Sequence, residues 1–441
     1  MILQQTIFAV CLTCGKGLKS SRDNEAHFRL KHHIIKPQFP TSTLRKITKG
    51  RIGSTYVESI LRGKTPSLLM RDAEGFKIVE YVESGFEIVI PENPEELPYT
   101  QYQDFSHCEP EHLEKDRLLD SIYDAINKTQ SLKEDEKLFI LAQILGSYCL
   151  DWMSSVHYLA FIGDISTGKS TILKLLQKLM YRPLYTTQIS DWDILKFLGT
   201  DNDCNGVVLI DECQDIEKNR SLHDIFKQGY KKNNPITKNN KSFNTFSIYC
   251  LAGERLVDDR AIRDRTIPIY KVEGVPKIQL SRLNEKQIQY FDTLRDKLLL
   301  WKLNNLTKPE NVELNIKLTG REQELFEDYL ILLHGTKYYE PYKQAVLRYL
   351  EKRKQYSHDT FEAKLWREIK HSLIDGKLIL SKLEHLVEAE DYGKPSKKKL
   401  AKTIKEKFGG IPKRIDSQRF YEFEPVNIVS FDKKYGVVST E

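Results

Sequence analysis

The stretch FIGDISTGKSTILKLL, residues 161–176, joins an apolar strand end to an apolar-periodic helix through a glycine-containing loop. It fits the pattern G-x-x-x-x-G-K-[ST] at four positions, Gly163, Gly168, Lys169 and Ser170. Glycines let the backbone curl so that successive N–H groups point at phosphate oxygens, and the positive end of the following helix reinforces them. The stretch therefore predicts a phosphate-binding loop in an α/β fold.

The flanking sequence supports this interpretation, because SSVHYLAFIG reads as a strand and STILKLLQKLM as a helix. Lys169 would reach the β- and γ-phosphates of a nucleotide, and the Ser170 hydroxyl would bind Mg²⁺. The residues expected to contact the nucleotide are Gly163, Asp164, Ile165, Ser166, Thr167, Gly168, Lys169, Ser170 and Thr171. The alternative is an ordinary strand–turn–helix that holds no nucleotide.

An acidic pair follows in NGVVLIDECQDI, where the apolar residues 207–210 read as a buried strand of a parallel sheet. Asp211 and Glu212 end that strand at the carboxyl edge, where such folds bind ligands. Asp211 would hold Mg²⁺ through water, and Glu212 would act as general base on the water that attacks the γ-phosphate. Acidic pairs after strands are common, so this prediction depends on the phosphate-binding loop upstream.

Two further strands are predicted in TFSIYCLAG and RTIPIY, with three arginines between them. An arginine there can reach the γ-phosphate held by a neighbouring subunit and stabilise the transition state. Arg265 is the preferred candidate, with Arg260 and Arg263 as reserves. The alternative is that the arginines pair at the surface with the carboxylates of Asp258, Asp259 and Asp264.

Length and composition describe a globular protein with two to four domains, since 441 residues contain 29% charged and 40% hydrophobic side chains. No apolar run approaches a membrane span, and no secretory leader is predicted. Seven scattered cysteines favour a reducing compartment, so we expect a cytoplasmic protein. The net charge of +6 permits a nucleic-acid partner.

The order of these segments resembles that of AAA+ ATPases, most closely the helicase modules of virus- and plasmid-encoded replication proteins of superfamily 3. The resemblance covers about residues 113–425 and includes VVLIDE, FNTFSIYCLAG, DDRAIRDRTIPI and LTGREQELFEDYLILL. It implies a homo-oligomeric ring, expected to be a hexamer, with ATP between subunits. Arg321 matches the sensor-2 arginine of the family's helical lid; its alternative is a plain helix-start residue.

Two departures from the family are visible. The sensor-1 strand usually ends in Asn or a similar residue, whereas LAGER offers Gly253 and Glu254. The roughly 110 residues before the ATPase leave no room for the primase domain of fused relatives.

The predicted organisation has five parts along the chain. They are a zinc finger (1–36), a small α/β segment with an acidic, proline-containing linker (37–112), the AAA+ core (113–275), a helical lid (276–357) and a winged-helix-like domain (358–441). In the second part, STYVESILRG reads as a helix, and SLLMRD and FKIVEYV read as strands.

Two basic regions are candidates for DNA contacts. GYKKNNPITKNNKSFN carries Lys231, Lys232, Lys238 and Lys241, in a region that forms a channel-lining hairpin in the relatives. In the tail, Lys398, Lys402 and Arg414 belong to a basic segment with an apolar stripe at helical spacing. The alternatives are a solvated turn for the first region and a protein-binding or inert domain for the second.

The N-terminal CLTCGKGLKSSRDNEAHFRLKHH has the C-x2-C-x12-H-x4-H spacing of a C2H2 zinc finger. The expected Zn²⁺ ligands are Cys11, Cys14, His27 and His32, with His33 as the alternative fourth ligand.

The leading functional hypothesis is an ATP-dependent DNA helicase or translocase of a replication system, with ATP, Mg²⁺ and Zn²⁺ as cofactors. One alternative is an ATP-switched initiator or loader that assembles on duplex DNA. Another is a DNA-binding ATPase that remodels protein partners. No membrane partner is expected, and replication proteins are possible partners.

Overall fold

The computed structural model describes most of the chain from residue 43 onward and three short strands before it. The described ranges are 9–11, 17–18, 35–37, 43–62, 65–84, 87–91, 114–188, 190–200, 206–213, 216, 219–272, 274–358, 361–386, 397–415 and 418–435. The chain divides into two compact units, Met1–Ala345 and Val346–Glu441.

The elements of the described residues are numbered here in chain order. The strands are β1 (Ala9–Cys11), β2 (Gly17–Leu18), β3 (Ile35–Pro37), β4 (Thr43–Ile47), β5 (Lys49–Ile52), β6 (Thr55–Arg62), β7 (Thr65–Asp72), β8 (Gly75–Val79), β9 (Val82–Ser84), β10 (Glu87–Pro91), β11 (Tyr158–Ile162), β12 (Pro183–Thr186), β13 (Val207–Ile210), β14 (Ile236–Lys238), β15 (Lys241–Phe243), β16 (Tyr249–Gly253), β17 (Thr266–Tyr270), β18 (Lys377–Ile379), β19 (Ile411–Ile415) and β20 (Gln418–Glu422). The helices are α1 (Lys115–Thr129), α2 (Glu134–Ser147), α3 (Lys169–Leu179), α4 (Asp191–Leu198), α5 (Arg220–Gln228), α6 (Arg260–Arg263), α7 (Glu285–Asn304), α8 (Arg321–Leu333), α9 (Tyr339–His358), α10 (Phe361–Ser372), α11 (Lys397–Phe408) and α12 (Pro425–Tyr435).

Five apolar segments of the first unit form one parallel sheet in the order β12-β13-β16-β11-β17. Every residue of β11, β13 and β16 is buried, as expected for strands covered by helices on both faces. The prediction of a parallel α/β sheet is confirmed. All five strands point the same way, so the loops that follow them meet at one edge, the carboxyl edge.

Helix α3 packs against this sheet through an apolar stripe at helical spacing. Its buried residues are Ile172, Leu173, Leu175, Leu176 and Leu179. The helix begins directly after the glycine-containing loop, so packing of the stripe fixes the direction in which the first turn points.

The predicted helix in STYVESILRG is wrong, because these residues form strand β6. β6 pairs with β5 and β7 in a four-stranded antiparallel sheet, and β4, β10 and β9 form a second, three-stranded sheet. Residues 56–60 of β6 are all buried, including Glu58 and Ser59. A strand is recognised in a sequence by alternation of apolar and polar residues. In β6 this alternation does not mark the buried face, because the polar residues are buried with partners, and the apolar residues fall at helical spacing.

Buried charges join this β-region to the neighbouring helices and strands of the same unit. Arg182 Nη2 lies 2.9 Å from Glu58 Oε1, and Lys49 Nζ lies 2.7 Å from Asp151 Oδ1. Lys302 also binds Asp151. Because these side chains are largely removed from water, loss of one partner would leave a buried charge unpaired, at a cost of about 3–5 kcal/mol.

Residues 276–357 were expected to be helical, and α7, α8 and most of α9 lie there. Helix α8 packs on α2, and His157 at the start of the sheet lies between them. The Nδ1 atom of His157 is 3.0 Å from the Leu325 carbonyl oxygen, and burial lowers the pKa of the imidazole to about 4.

The second unit contains α10, a 3₁₀ helix (Leu380–Leu386), α11, α12 and an antiparallel sheet in the order β18-β20-β19. Trp366 is fully buried at its centre, and its Nε1–H donates to Asp432 Oδ1 at 2.9 Å. The apolar stripe predicted in α11 is confirmed, since Leu400, Ile404 and Phe408 are all buried in this core. Among the helices that the structure describes, none is long and apolar enough to cross a lipid bilayer.

Candidate functional site

The loop between β11 and α3 adopts the backbone conformation that its glycines permit. Gly168 precedes α3 with φ of 84°, and Ser166 has φ of 68°. Left-handed backbone at these two positions turns the chain back before the helix begins. The first N–H groups of α3 have no partner within the helix and come directly after this turn.

Gly163 is required by close packing. A Cβ atom there would lie 2.6 Å from the Lys271 carbonyl oxygen and 2.7 Å from Thr167 Oγ1, which is closer than van der Waals contact. Thr167 Oγ1 also donates to the Asp164 carbonyl at 2.8 Å, and this bond closes the loop on itself. The loop is therefore a tight cradle of main-chain atoms.

Lys169 places its ammonium group against this cradle. The Nζ atom donates to the carbonyl oxygens of Gly163 and Asp164, both at 2.6 Å. Asp164, Ile165, Ser166 and Ser170 are exposed around it, and Ile165 is 80% exposed. An ammonium group, the unpaired N–H groups at a helix start and an exposed hydroxyl are the kinds of group that bind a polyphosphate with Mg²⁺.

Asp211 lies at the end of β13 and is only 6% exposed. Its Oδ2 accepts a hydrogen bond of 3.0 Å from the Tyr185 hydroxyl. Burial and the neighbouring carboxylate raise the pKa of Tyr185 to about 12, so the phenol stays a donor. This bond fixes one carboxylate oxygen of Asp211. Sequence reasoning missed Tyr185, because only the pairing of β12 with β13 brings it there.

Glu212 is exposed and has φ of 62°. Left-handed backbone is costly for a residue with a long side chain, and such residues concentrate at functional sites. Glu212 lines a cavity of about 420 Å³ with residues from three neighbouring segments: Thr187, Gln188, Ser190, Asp193, Ile210, Ile216, Asn219 and Leu222.

The sheet brings the loop and the acidic pair to the same edge. Ile162 pairs with Gly253, and Ile210 pairs with Leu251, so β16 lies between β11 and β13. Two strand spacings separate the two strands, about 10 Å in backbone distance. Gly253 accepts the Gly163 N–H at 3.3 Å and offers no side chain for a sensor-1 role.

Arg265 and Arg321 lie at the opposite, amino-terminal edge of the sheet. The Arg265 carbonyl accepts the N–H of Tyr158, the first residue of β11. The guanidinium carbons of Arg265 and Arg321 are 4.0 and 4.8 Å from the centre of the Tyr230 ring. Burial lowers the pKa of Arg265, and the positive charge of Arg321 lowers it further. The fold therefore does not bring either arginine to the phosphate-binding loop of its own chain.

The reserve arginines have different surroundings. Arg263 pairs with Asp258 at 3.0 Å, as the surface alternative expects, and its Nε donates to the Val257 carbonyl. Arg260 is exposed at the start of α6. Arg321 itself is held by Asp264 at 3.2 Å and by Glu324.

The lysines proposed for DNA contact lie on and beside a β-hairpin, β14–β15, as expected. Asn239 and Asn240 form its two-residue turn with φ of 52° and 59°. Three of the lysines have partners within the chain. Lys231 pairs with Glu324 at 3.1 Å, Lys232 donates to the Asp151 carbonyl, and Lys238 pairs with Asp191. The fourth, Lys241, is exposed beside the turn.

In the second unit, Lys398 and Lys402 are exposed on α11, and Arg414 is exposed on β19. Lys402 lies 3.9 Å from Glu406 one helical turn later. All five residues of β19 are exposed, and the exposed cations of this edge strand and of α11 form a basic surface in which Lys413 pairs with Glu422 and Lys407 with Glu362.

The predicted zinc ligands fall outside what the structure describes. Only the backbone of Cys11, at the end of β1, belongs to the described residues, whereas Cys14, His27 and His32 do not. Within the described ranges, no group of three or more His, Cys, Asp or Glu side chains is arranged to hold a metal ion. The zinc finger stays a prediction.

Comparisons with known proteins give limited similarity. Neither a protein-family model nor a curated protein matches the sequence. Two apo structures of the NrS-1 C-terminal region align over 83% of this chain and 96% of theirs, with 11% and 14% identity and TM-scores of 0.33 and 0.34. A JCV helicase structure aligns over 57% of this chain and 63% of its own, with 12% identity and a TM-score of 0.26. TM-scores of this size do not by themselves establish a common fold or activity.

Proposed function

We propose that this protein is a P-loop ATPase that acts on DNA as a helicase or translocase in replication. The observation that carries the proposal is the cradle at the carboxyl edge, where Lys169 lies over the loop and Asp211 and Glu212 end the strand two positions away.

Each residue of the cradle has one expected role. The loop N–H groups and Lys169 bind the phosphates, and Lys169 exchanges its two loop carbonyls for phosphate oxygens. Ser170 and Asp211 would hold Mg²⁺, which shields the negative charge of the phosphates when bound. Glu212 accepts a proton from the attacking water as general base.

Action on DNA is supported by the charge distribution outside the cradle. Lys241 is exposed beside the hairpin turn, and Lys398, Lys402 and Arg414 are exposed in the second unit. The order helix–strand–helix–helix–strand–strand in that unit is the order of a winged helix, and we propose that assignment for residues 358–441. Cations on such elements contact phosphates with an affinity that salt weakens.

We further propose that ATP is hydrolysed between subunits of a ring, expected to be a hexamer. Support comes from the amino-terminal edge, where Arg265 and Arg321 are held far from their own loop. There they would act on the nucleotide of a neighbouring subunit.

The experiment that tests the proposal measures ATP hydrolysis by the purified protein without DNA, with single-stranded DNA and with duplex DNA at several salt concentrations. We expect stimulation by single strands that weakens as salt rises. A slow rate that DNA does not change would contradict the motor. Stimulation by duplex alone would favour the initiator, to which the exposed basic surface of the second unit would also be suited.

A further inference from the structure

The inference concerns Asp191, a carboxylate that touches three structural elements. Asp191 is the first residue of α4, and its Oδ2 accepts a 2.6 Å hydrogen bond from Ser221 Oγ on α5. The same oxygen accepts from Lys238 Nζ on the hairpin. Burial opposes ionisation, but the bonds from Lys238 and Ser221 lower the pKa of Asp191, so the group is a carboxylate.

The two helices that Asp191 joins form walls of the cavity around Glu212. Ser190 caps α4 by accepting the Asp193 N–H at 3.1 Å, and Asn219 caps α5 by accepting two N–H groups. Ser190, Asp193 and Asn219 all line the cavity with Glu212. Any shift between the beginnings of α4 and α5 therefore changes the space in which the proposed general base lies.

The hairpin is attached to α4 by the residues next to Asp191. The Trp192 ring meets Phe243 of β15 edge to face at a centroid distance of 5.5 Å. Lys238 Nζ lies 5.7 Å from the Trp192 ring centre. Displacement of the hairpin thus pulls on the first turn of α4.

The Lys238–Asp191 pair is placed so that Lys238 can exchange the Asp191 carboxylate for a phosphate group. Both side chains are partly exposed, at 34% and 17%, so a phosphate from solution can reach the ammonium group. After Lys238 leaves, Asp191 keeps the Ser221 hydroxyl and the positive end of α4, which stabilise its charge. Lys241 beside the turn would bind a second phosphate of the same strand.

We propose that Asp191 is a positioning residue that couples single-stranded nucleic acid on the hairpin to the cavity around Glu212, by releasing Lys238 to a phosphate. This inference rests on the proposed function, because it takes Glu212 as the base and the loop as the nucleotide site. Coupling of this kind is reciprocal, so the strand must change nucleotide affinity by the factor by which nucleotide changes strand affinity.

The experiment measures binding and does not depend on turnover. The dissociation constant of a fluorescent, non-hydrolysable ATP analogue with Mg²⁺ is determined with and without saturating oligothymidylate, and the ratio is the coupling factor. We expect a coupling factor of about fivefold or more in the wild-type protein. Asp191→Asn should bring this factor close to one, and Ser221→Ala should lower it without changing the charge near the hairpin.

Asp120→Asn is the matched control. Asp120 also accepts from a lysine and a hydroxyl, Lys337 and Tyr338, but it lies on α1. Its coupling factor should equal that of the wild type. A purely electrostatic effect of Asp191 would raise strand affinity in Asp191→Asn but leave the coupling factor unchanged, and that result would overturn the proposal.

Three other outcomes separate the proposals. If the wild type binds both ligands with a coupling factor of one, the role of Asp191 is excluded while the proposed function stands. If the wild type binds the nucleotide analogue but not oligothymidylate, both the role of Asp191 and the action on single-stranded DNA are excluded. If the wild type does not bind the nucleotide analogue, or Lys169→Ala binds it equally well, the proposed function itself fails.

Discussion

The two edges of the central sheet present opposite kinds of surface. At the carboxyl edge, the loop between β11 and α3 is largely exposed, its backbone turns through left-handed residues, and Lys169 donates to two of its main-chain oxygens. At the amino-terminal edge, Arg265 and Arg321 both lie against the Tyr230 ring; Arg265 donates to the Lys227 carbonyl, and Arg321 pairs with Asp264. The first edge is arranged for a ligand, whereas the second is already packed.

The distance between the edges follows from the strand itself. β11 has five residues, and a strand rises about 3.3 Å per residue, so about 13 Å separates its first residue from its last. An arginine at one end cannot serve a phosphate at the other. In the proposed ring, the sheet would therefore supply its loop to one nucleotide and its arginines to the nucleotide of a neighbouring subunit.

The largest effect is expected from Lys169→Ala at the carboxyl edge. Loss of the cation should reduce ATP turnover by about 100-fold or more, since a charge aimed at the phosphates is removed. The measurement is steady-state ATP hydrolysis, with the melting temperature as the control for folding. Normal hydrolysis by this variant would remove the distinction between the two edges.

Glu212→Gln should separate binding from chemistry at the same edge. A general base contributes about 10²–10⁴ in rate, so turnover should fall by that order while ATP still binds. Equilibrium binding of a fluorescent ATP analogue and single-turnover hydrolysis measure the two steps. Rapid turnover by this variant would exclude Glu212 as the base.

Arg265→Ala tests the amino-terminal edge through subunit mixing. When variant subunits are mixed with wild-type subunits, ATP hydrolysis should fall by more than the fraction of variant subunits, because each would also impair a neighbour's site. Arg263→Ala, which removes a surface partner of Asp258, is the control and should reduce hydrolysis at most in proportion. A strictly proportional loss with Arg265→Ala would contradict an action between subunits.

A smaller effect concerns stability at the amino-terminal edge and its dependence on pH. The unfolded chain protonates His157 near pH 6.5, whereas the folded protein does so only near pH 4. Folding is therefore penalised increasingly as the pH falls from 6.5 to 4, by about 3 kcal/mol at the lower limit. Denaturant unfolding at several pH values should show this loss, and His157→Gln should flatten the dependence. If the free energy of unfolding depends on pH equally in the wild type and in His157→Gln, the assignment of this dependence to His157 is wrong.

The carboxyl edge was largely predictable from sequence because its determinants are local. Glycine, lysine and serine at fixed spacing, and apolar runs before Lys169 and Asp211, specify the loop and both strands. The parallel sheet follows from strands alternating with helices, and the structure contains it. The apolar stripe of α11 was predictable for the same reason.

The rest depends on contacts between distant parts of the chain. The Tyr185 bond to Asp211 needs the pairing of β12 with β13, and the Tyr230 stack brings together residues from three separate segments. β6 was mistaken for a helix because Glu58 finds a partner in Arg182, more than a hundred residues later. Sequence periodicity does not record such partners.

Glu212 has a consequence for how this protein would change under selection. Its left-handed backbone costs about 1–3 kcal/mol relative to a residue that accepts this conformation. Glu212→Gly should therefore raise the melting temperature while removing the carboxylate. A screen for heat resistance alone would then drift towards sequences that lack the proposed base, and only a screen that also requires ATP hydrolysis would retain it.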